Sequence, residues 1–261
     1  NYKYGVPLLH QKWVGLAHFT ELLSDGRFLM SLRNTLAISV LYLVFGTLLN
    51  ILFALLLNEA NCKPFKKVVQ TVSYLPYFIS WVVVANIVIV MLSREGVVNT
   101  VLTSLGSLDQ PQLWLGKINL FWFIIVGTSI WKETGYGAII YLAAMTAIDP
   151  MLYEAAEIDG AGRMQRIVHV TLPGILPVLR IVTILNVGWL LSGSYDLQLL
   201  LNNPLVGKVS QTIDLFVIKY GLEMGRFSYA AAAGLFRSVV SVILLGSANF
   251  FVKKTGGERL Y

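Results

Sequence analysis

Charged side chains are scarce in this sequence: they make up 13% of its 261 residues, against about 25% in an average soluble domain. Together with 56% hydrophobic residues, that scarcity excludes an ordinary soluble domain and points to an integral membrane protein. Cysteine is nearly absent. The single Cys62 rules out an internal disulfide framework, and His10, His18 and His169 have no metal-site spacing with it, so no structural metal is expected. No G-x-x-x-x-G-K-[ST] phosphate loop occurs, so the chain is not expected to hydrolyse nucleotide itself. H-E-x-x-H and G-x-S-x-G are also missing, which leaves an intramembrane enzyme without support. The chain opens NYKYGVPLLHQKW, with neither methionine nor a basic-then-apolar signal region. The formal charge of +6 comes from scattered residues. With no basic run interleaved with stacking aromatics, nucleic acid is a poor partner.

What the sequence has in abundance is apolar runs. A membrane helix needs about 20 apolar residues, and five runs qualify: Thr35 to Leu57, Val68 to Leu92, Ile118 to Ile148, Gly174 to Tyr195, and Tyr229 to Val252. The third is too long for one untilted span and contains WKETG at Trp131 to Gly135, so it is expected either to kink there or to extend beyond the bilayer. The fold class is therefore all-α, a polytopic membrane helix bundle.

Short basic connections stay cytoplasmic. Lys63, Lys66 and Lys67 in the turn 58–67, Arg163 and Arg166 in the stretch 149–173, and Lys253, Lys254 and Arg259 in the tail 253–261 all fall on one side. The expected organisation is an extracytoplasmic segment 1–34, a transmembrane domain 35–252 with a cytoplasmic loop 149–173, and a cytoplasmic tail 253–261. Five spans and a cytoplasmic C-terminus leave Asn1 outside, so a sixth span upstream of Asn1 is expected.

The loop between the third and fourth runs reads AIDPMLYEAAEIDGAGRMQRIVHVTLP. Asp149 is suited to cap a helix, Pro150 to its first position, and Gly160 and Gly162 to its end. This spells a short helix, a bend and a second helix before Leu172. On physical grounds alone, a solvated loop and a docking knob explain it equally well.

The stretch resembles the EAA motif of permease subunits of binding-protein-dependent ABC importers: E-A-A, three residues, G, nine residues, I, one residue, L-P. Here the positions are Glu154, Ala155, Ala156, Gly160, Val170, Leu172 and Pro173, with valine the single departure. LRNTLAISV, SYLPYFISW and the stretch from NNPLVGKVS to FFVKK extend the resemblance over nearly the whole chain. They look like the maltose-type sugar permeases, especially the branch importing oligosaccharides and polysaccharide fragments of the alginate or rhamnogalacturonan type.

The resemblance implies a type I ABC importer permease fold in a bacterial inner membrane. The implied partners are a second homologous permease, two cytoplasmic ATPase subunits that carry ATP and magnesium, and an extracytoplasmic solute-binding protein, with lipid around the spans. It also implies that Glu154, Ala155, Ala156, Asp159, Gly160, Leu172 and Pro173 couple the permease to the ATPase.

Aromatic faces and amides suited to sugar mark a substrate path: Tyr77, Trp81, Asn86, Asn186, Trp189 and Tyr195. Interfacial belts and helix packing explain the same residues. Lys132, Glu133, Arg180 and Arg237 are intramembrane charges and so candidates for function, and a basic lining would favour acidic sugars such as uronate oligomers. Two other readings stay open at this stage: an ion-coupled secondary transporter built on Lys132 and Glu133, and a membrane scaffold that transports nothing.

Overall fold

The structure is a computed structural model describing residues 1–191 and 195–254. It consists of helices and turns, with no strand among the described residues. In chain order the α-helices are α1 (Ala17–Ser24), α2 (Gly26–Glu59), α3 (Lys63–Tyr74), α4 (Trp81–Leu92), α5 (Val97–Ser104), α6 (Ile118–Thr146) and α7 (Pro150–Ile158). They continue with α8 (Arg163–Arg166), α9 (Leu172–Gly188), α10 (Tyr195–Leu201), α11 (Gly207–Ser210), α12 (Ile213–Ile218) and α13 (Phe227–Lys254). Five-residue π-helical turns, Ile167–Thr171 and Lys219–Glu223, follow α8 and α12. Four stretches are long and apolar enough to cross a membrane: Gly26–Glu59, Trp81–Ser104, Arg163–Gly188 and Phe227–Val252. The bent pair α6 and α7 makes a fifth.

Three expectations need correction. The run from Val68 to Leu92 is not one helix: Pro76 falls in the tight turn Leu75–Phe78, Ile79 is extended, and the Ser80 hydroxyl caps α4 by accepting the Val83 N–H at 3.4 Å. Proline has no N–H to donate to a continuing helix and opposes helical geometry in the residue before it. Of the two alternatives for the third run, the kink at WKETG is absent, because α6 runs unbroken for 29 residues; the bend comes after Thr146, where α7 departs at 69°. The fourth helix ends at Gly188, and Tyr195 opens a separate one. Pro177 is accommodated inside α9. Residues 255–261 of the expected tail lie outside the described residues.

The chain forms two compact units. The first comprises Asn1–Leu41, Ser80–Thr128 and Trp189–Ile243. Its aromatic core sets Phe28 edge-on to Phe216 and Phe236 at 5.5 and 5.4 Å, with Tyr220 4.2 Å from Phe216. Buried amides and hydroxyls tie the loop around 208–213 to this core. Asn34 donates to the Lys208 and Gln211 carbonyls at 3.0 and 2.9 Å, Thr35 accepts the Ile213 N–H at 3.0 Å, and Trp122 donates to the Val209 carbonyl at 2.9 Å. Unpaired, those backbone groups would each cost about 1–3 kcal/mol once desolvated. Arg237 is no lone intramembrane charge, because it pairs with Asp214.

Helix α2 begins nine residues before its apolar run because Asp25 caps it. The carboxylate accepts the Arg27 N–H at 2.9 Å and the Tyr229 hydroxyl at 3.0 Å. Burial pushes the Asp25 carboxyl up, but hydrogen bonds from the Arg27 side chain and backbone and from Tyr229 outweigh it and hold the carboxyl below its ordinary range. The stabilisation is therefore full above the ordinary carboxylate pKa and is lost as pH falls through the lowered value. Asp25→Ala should cost about 1 kcal/mol, read as a lower unfolding temperature in detergent at pH 7 that converges with wild type on acidification.

The second unit comprises Tyr42–Ile79, Ser129–Gly188 and residues 244–254. Its core is Ala54, Ala138, Tyr141, Met145 and Ile175, with Ile148 and Leu172 packed against it. Gly135 lets α6 approach the end of α3 closely, since a Cβ there would overlap the Ser73 carbonyl.

Candidate functional site

The loop after α6 is built by local rules. The Asp149 carboxylate accepts the Met151 N–H at 2.9 Å, and Pro150 occupies the first helical position, where a missing N–H costs nothing. At the other end the Gly160 N–H reaches the Glu157 carbonyl at 3.0 Å, and the Ala161 N–H reaches Ala156 at 2.8 Å. These two bonds form a Schellman termination, and they require Gly160 at φ +79°. The Gly162 N–H then donates to Gln165 Oε1 at 2.8 Å, starting α8.

Two contacts fold the limbs back on each other. Arg166 pairs with Glu157 at 3.1 Å, and the Tyr153 hydroxyl meets Thr171 Oγ1 at 3.0 Å. Thr171 is buried and Leu172 packs on the unit's core, so α7 is tied to the start of α9. The sequence pattern did not single out Tyr153, Thr171 or the Glu157–Arg166 pair. Their only signal is a polar residue type on a short helix.

The motif residues divide accordingly. Met151, Glu154, Ala155 and Ile158 recur at helical spacing and all are exposed, Met151 and Ile158 by 71% and 87%. Ala156 is half-buried. Asp159 and Gly160 form the exposed bend, Leu172 is the internal anchor, and Pro173 is exposed. Large apolar side chains on an exposed polar loop mark a surface for a partner, and the Glu154 carboxylate has no hydrogen bond or ion pair among the described residues.

Of the expected path residues, Tyr77 and Asn186 belong to the second unit, and Trp81, Asn86, Trp189 and Tyr195 to the first. Tyr77 stacks on Tyr136 at 3.9 Å and 9°, with Lys132 Nζ 5.2 Å from its ring centre. Asn186 is exposed near the end of α9. In the first unit α4, carrying Trp81 and Asn86, packs against α10, which begins at Tyr195. Asn86 and Trp189 are exposed.

Lys132 is buried and donates to the Tyr77 carbonyl at 2.6 Å, and Glu133 accepts from the Tyr42 hydroxyl. Both charges in α6 thus have structural partners. Tyr136 and Tyr42 were missed because each sits in an apolar run that explains an aromatic by itself.

Comparison with known proteins gives consistent results. The chain is 40% identical over 269 residues to the polygalacturonan/rhamnogalacturonan transport system permease protein YteP of Bacillus subtilis, covering 100% of this chain and 81% of that protein. It is 38% identical to protein LplB of the same organism, covering 96% and 78%. Among solved structures, a bacterial ABC transporter involved in the import of the acidic polysaccharide alginate matches with a TM-score of 0.90 and 37% identity, over 94% of this chain and 86% of that one. The alginate ABC transporter in complex with an alginate pentasaccharide-bound periplasmic protein matches at 0.91 and 37%, over 95% and 85%. Residues 50–257 match the family described as binding-protein-dependent transport system inner membrane component. The chain belongs to that family of membrane permeases.

Proposed function

We propose that this chain is one permease subunit of an ATP-driven importer of oligosaccharides or polysaccharide fragments, acidic uronate chains among them. It works with a second permease, two cytoplasmic ATPases that handle ATP and magnesium, and an extracytoplasmic binding protein. The loop 149–173, the basic turn near Lys63 and the C-terminus lie on the cytoplasmic side. The observation that carries the coupling role is the outward face of α7, where Glu154 and Ala155 stand between two exposed apolar residues on a helix tied back to the next span. An ATPase cleft that grips this face differently in its two nucleotide states can shift the permease between its two conformations. The names of the relatives support the substrate class. The ion-coupled alternative loses its motivation, since Lys132 and Glu133 are engaged within the second unit.

The test is ATP hydrolysis by the reconstituted four-part complex in proteoliposomes, with and without binding protein loaded with oligogalacturonide. Loaded binding protein should stimulate hydrolysis in wild type, and Glu154→Lys should reduce that stimulation about tenfold, the effect of losing roughly 1.4 kcal/mol at the docking face. Unchanged stimulation in an assembled Glu154→Lys complex would remove the loop from the coupling path.

A further inference from the structure

On the orientation proposed above, the segment joining the spans Arg163–Gly188 and Phe227–Val252 lies on the extracytoplasmic side, because it leaves the end of the former span remote from the loop 149–173. Within the first unit this segment holds a cavity of about 350 Å³ between α10, the loop 202–211, α12 and the π-helical turn after it. That volume falls in the range of roughly 300–1,000 Å³ typical of small-molecule sites. None of the expected path residues lines it.

Its wall carries four polar side chains with bonding capacity to spare. Ser210 occupies Asn202 Oδ1 at 2.6 Å and leaves the Asn202 NH2 without a partner. The Gln211 carboxamide, the Lys219 ammonium and the Glu223 carboxylate make no hydrogen bond or ion pair among the described residues. Lys219 and Glu223 stand at the two ends of the π-helical turn. Leu199, Leu215 and Ile218 add apolar surface. The frame that carries these groups is fixed. Asn203 donates to the Leu115 carbonyl and accepts the Leu205 N–H, each at 3.1 Å, Thr212 donates to Gln198 Oε1 at 3.1 Å, and Asn34 holds the Gln211 carbonyl. A site fixed before binding loses little entropy when a ligand arrives.

We infer that this cavity is an extracytoplasmic subsite for one uronate unit of the imported oligosaccharide, an inference that rests on the importer reading above. The Lys219 ammonium takes the uronate carboxylate. The carboxamides of Asn202 and Gln211 and the carboxylate of Glu223 take ring hydroxyls, and sugar C–H groups pack on Leu215 and Ile218. Two features select a polyhydroxylated anion. Donors and acceptors are mixed in one cavity, which suits hydroxyls that both donate and accept. An acyl chain would instead strip water from Lys219 and Glu223 with nothing in return.

The test uses the assembled complex in nanodiscs, without binding protein, in a Cys62→Ser background with cysteine-free partner subunits. Gly207 lines the cavity at φ −50°, and a Cβ there meets nothing within 4 Å, so Gly207→Cys reports on the cavity without strain. Trigalacturonate should slow its reaction with N-ethylmaleimide at least about fivefold, and neutral maltotriose should do so only at about tenfold higher concentration, the margin that one charge-assisted hydrogen bond supplies. This comparison needs no further variant to fold. Lys219→Gln should erase the margin. Equal protection by the two trisaccharides, or a margin that survives Lys219→Gln, would overturn the uronate assignment. Protection by binding protein alone, and by neither trisaccharide, would mean that protein docks in the cavity and would overturn the subsite. If loaded binding protein still stimulates ATP hydrolysis by that complex, the subsite falls and the importer reading stands; if it does not, both fall.

Discussion

Alanine at Gly135 is expected to prevent the second unit from assembling. The added Cβ would overlap the backbone carbonyl of Ser73, and backbone cannot swing aside as a side chain can. Moving α3 away from α6 would take the Tyr77 carbonyl from the buried Lys132 ammonium and part the Tyr77–Tyr136 stack. Overpacking costs about 1–3 kcal/mol, and losing one hydrogen bond from a charged donor costs about 1.5–3 kcal/mol more. Together these consume a large share of a stability of about 5–15 kcal/mol. The control lies in the same helix: a Cβ at Gly127 meets nothing within 4 Å. Gly127→Ala should extract from the membrane as wild type does, whereas Gly135→Ala should give little monodisperse protein on size exclusion. Equal yields would show that α3 and α6 separate freely.

Valine at Gly160 is expected to leave the protein assembled but uncoupled. Nothing lies within 4 Å of a Cβ there, so the penalty is conformational, about 1–3 kcal/mol or more for a β-branched residue at φ +79°. The helix end relieves it by giving up the paired bonds from Gly160 and Ala161, and the Glu157–Arg166 bridge then loses its register. ATP hydrolysis stimulated by loaded binding protein should fall about tenfold or more, while unfolding temperature and complex yield change little. Asparagine tolerates the left-handed region, so Gly160→Asn should retain most of the stimulation. Gly162→Ala should be silent, because that glycine sits at φ −70° and its Cβ would meet only Gln165 at 3.7 Å. Full stimulation with Gly160→Val would mean that the bend plays no part in transmission.

The helix–bend–helix of residues 149–166 was legible from sequence because it rests on near-neighbour chemistry: an aspartate before a proline, and a glycine at a fixed distance beyond. The long apolar helices were legible for a similar reason, since hydrophobic length alone specifies them. Helix α3 was not, because its apolar face merges with the following run and only Pro76 marks the division. The partners of the α6 charges were hidden by separation: Tyr42 lies 91 residues from Glu133, and Tyr77 lies 55 residues from Lys132. The third run is too long for one untilted span and carries two charges at WKETG, which left a kink or an extension beyond the bilayer open. The chain satisfies those charges with a phenol and a carbonyl and keeps the helix unbroken.

The π-helical turn at 167–171 acts as a phase adjuster. Each residue of a regular helix advances the azimuth by about 100°, so an unbroken α-helix from Arg163 would fix the rotation of Leu172 and Ile175 from that of Arg166. A wide turn accommodates one extra residue and so frees the two settings from each other. Arg166 can address Glu157 while Ile175 addresses the core. Winding the same five residues, Ile167–Thr171, as regular α-helix would lengthen the chain by little. It would rotate the whole docking face by roughly a quarter turn relative to the span that must follow it.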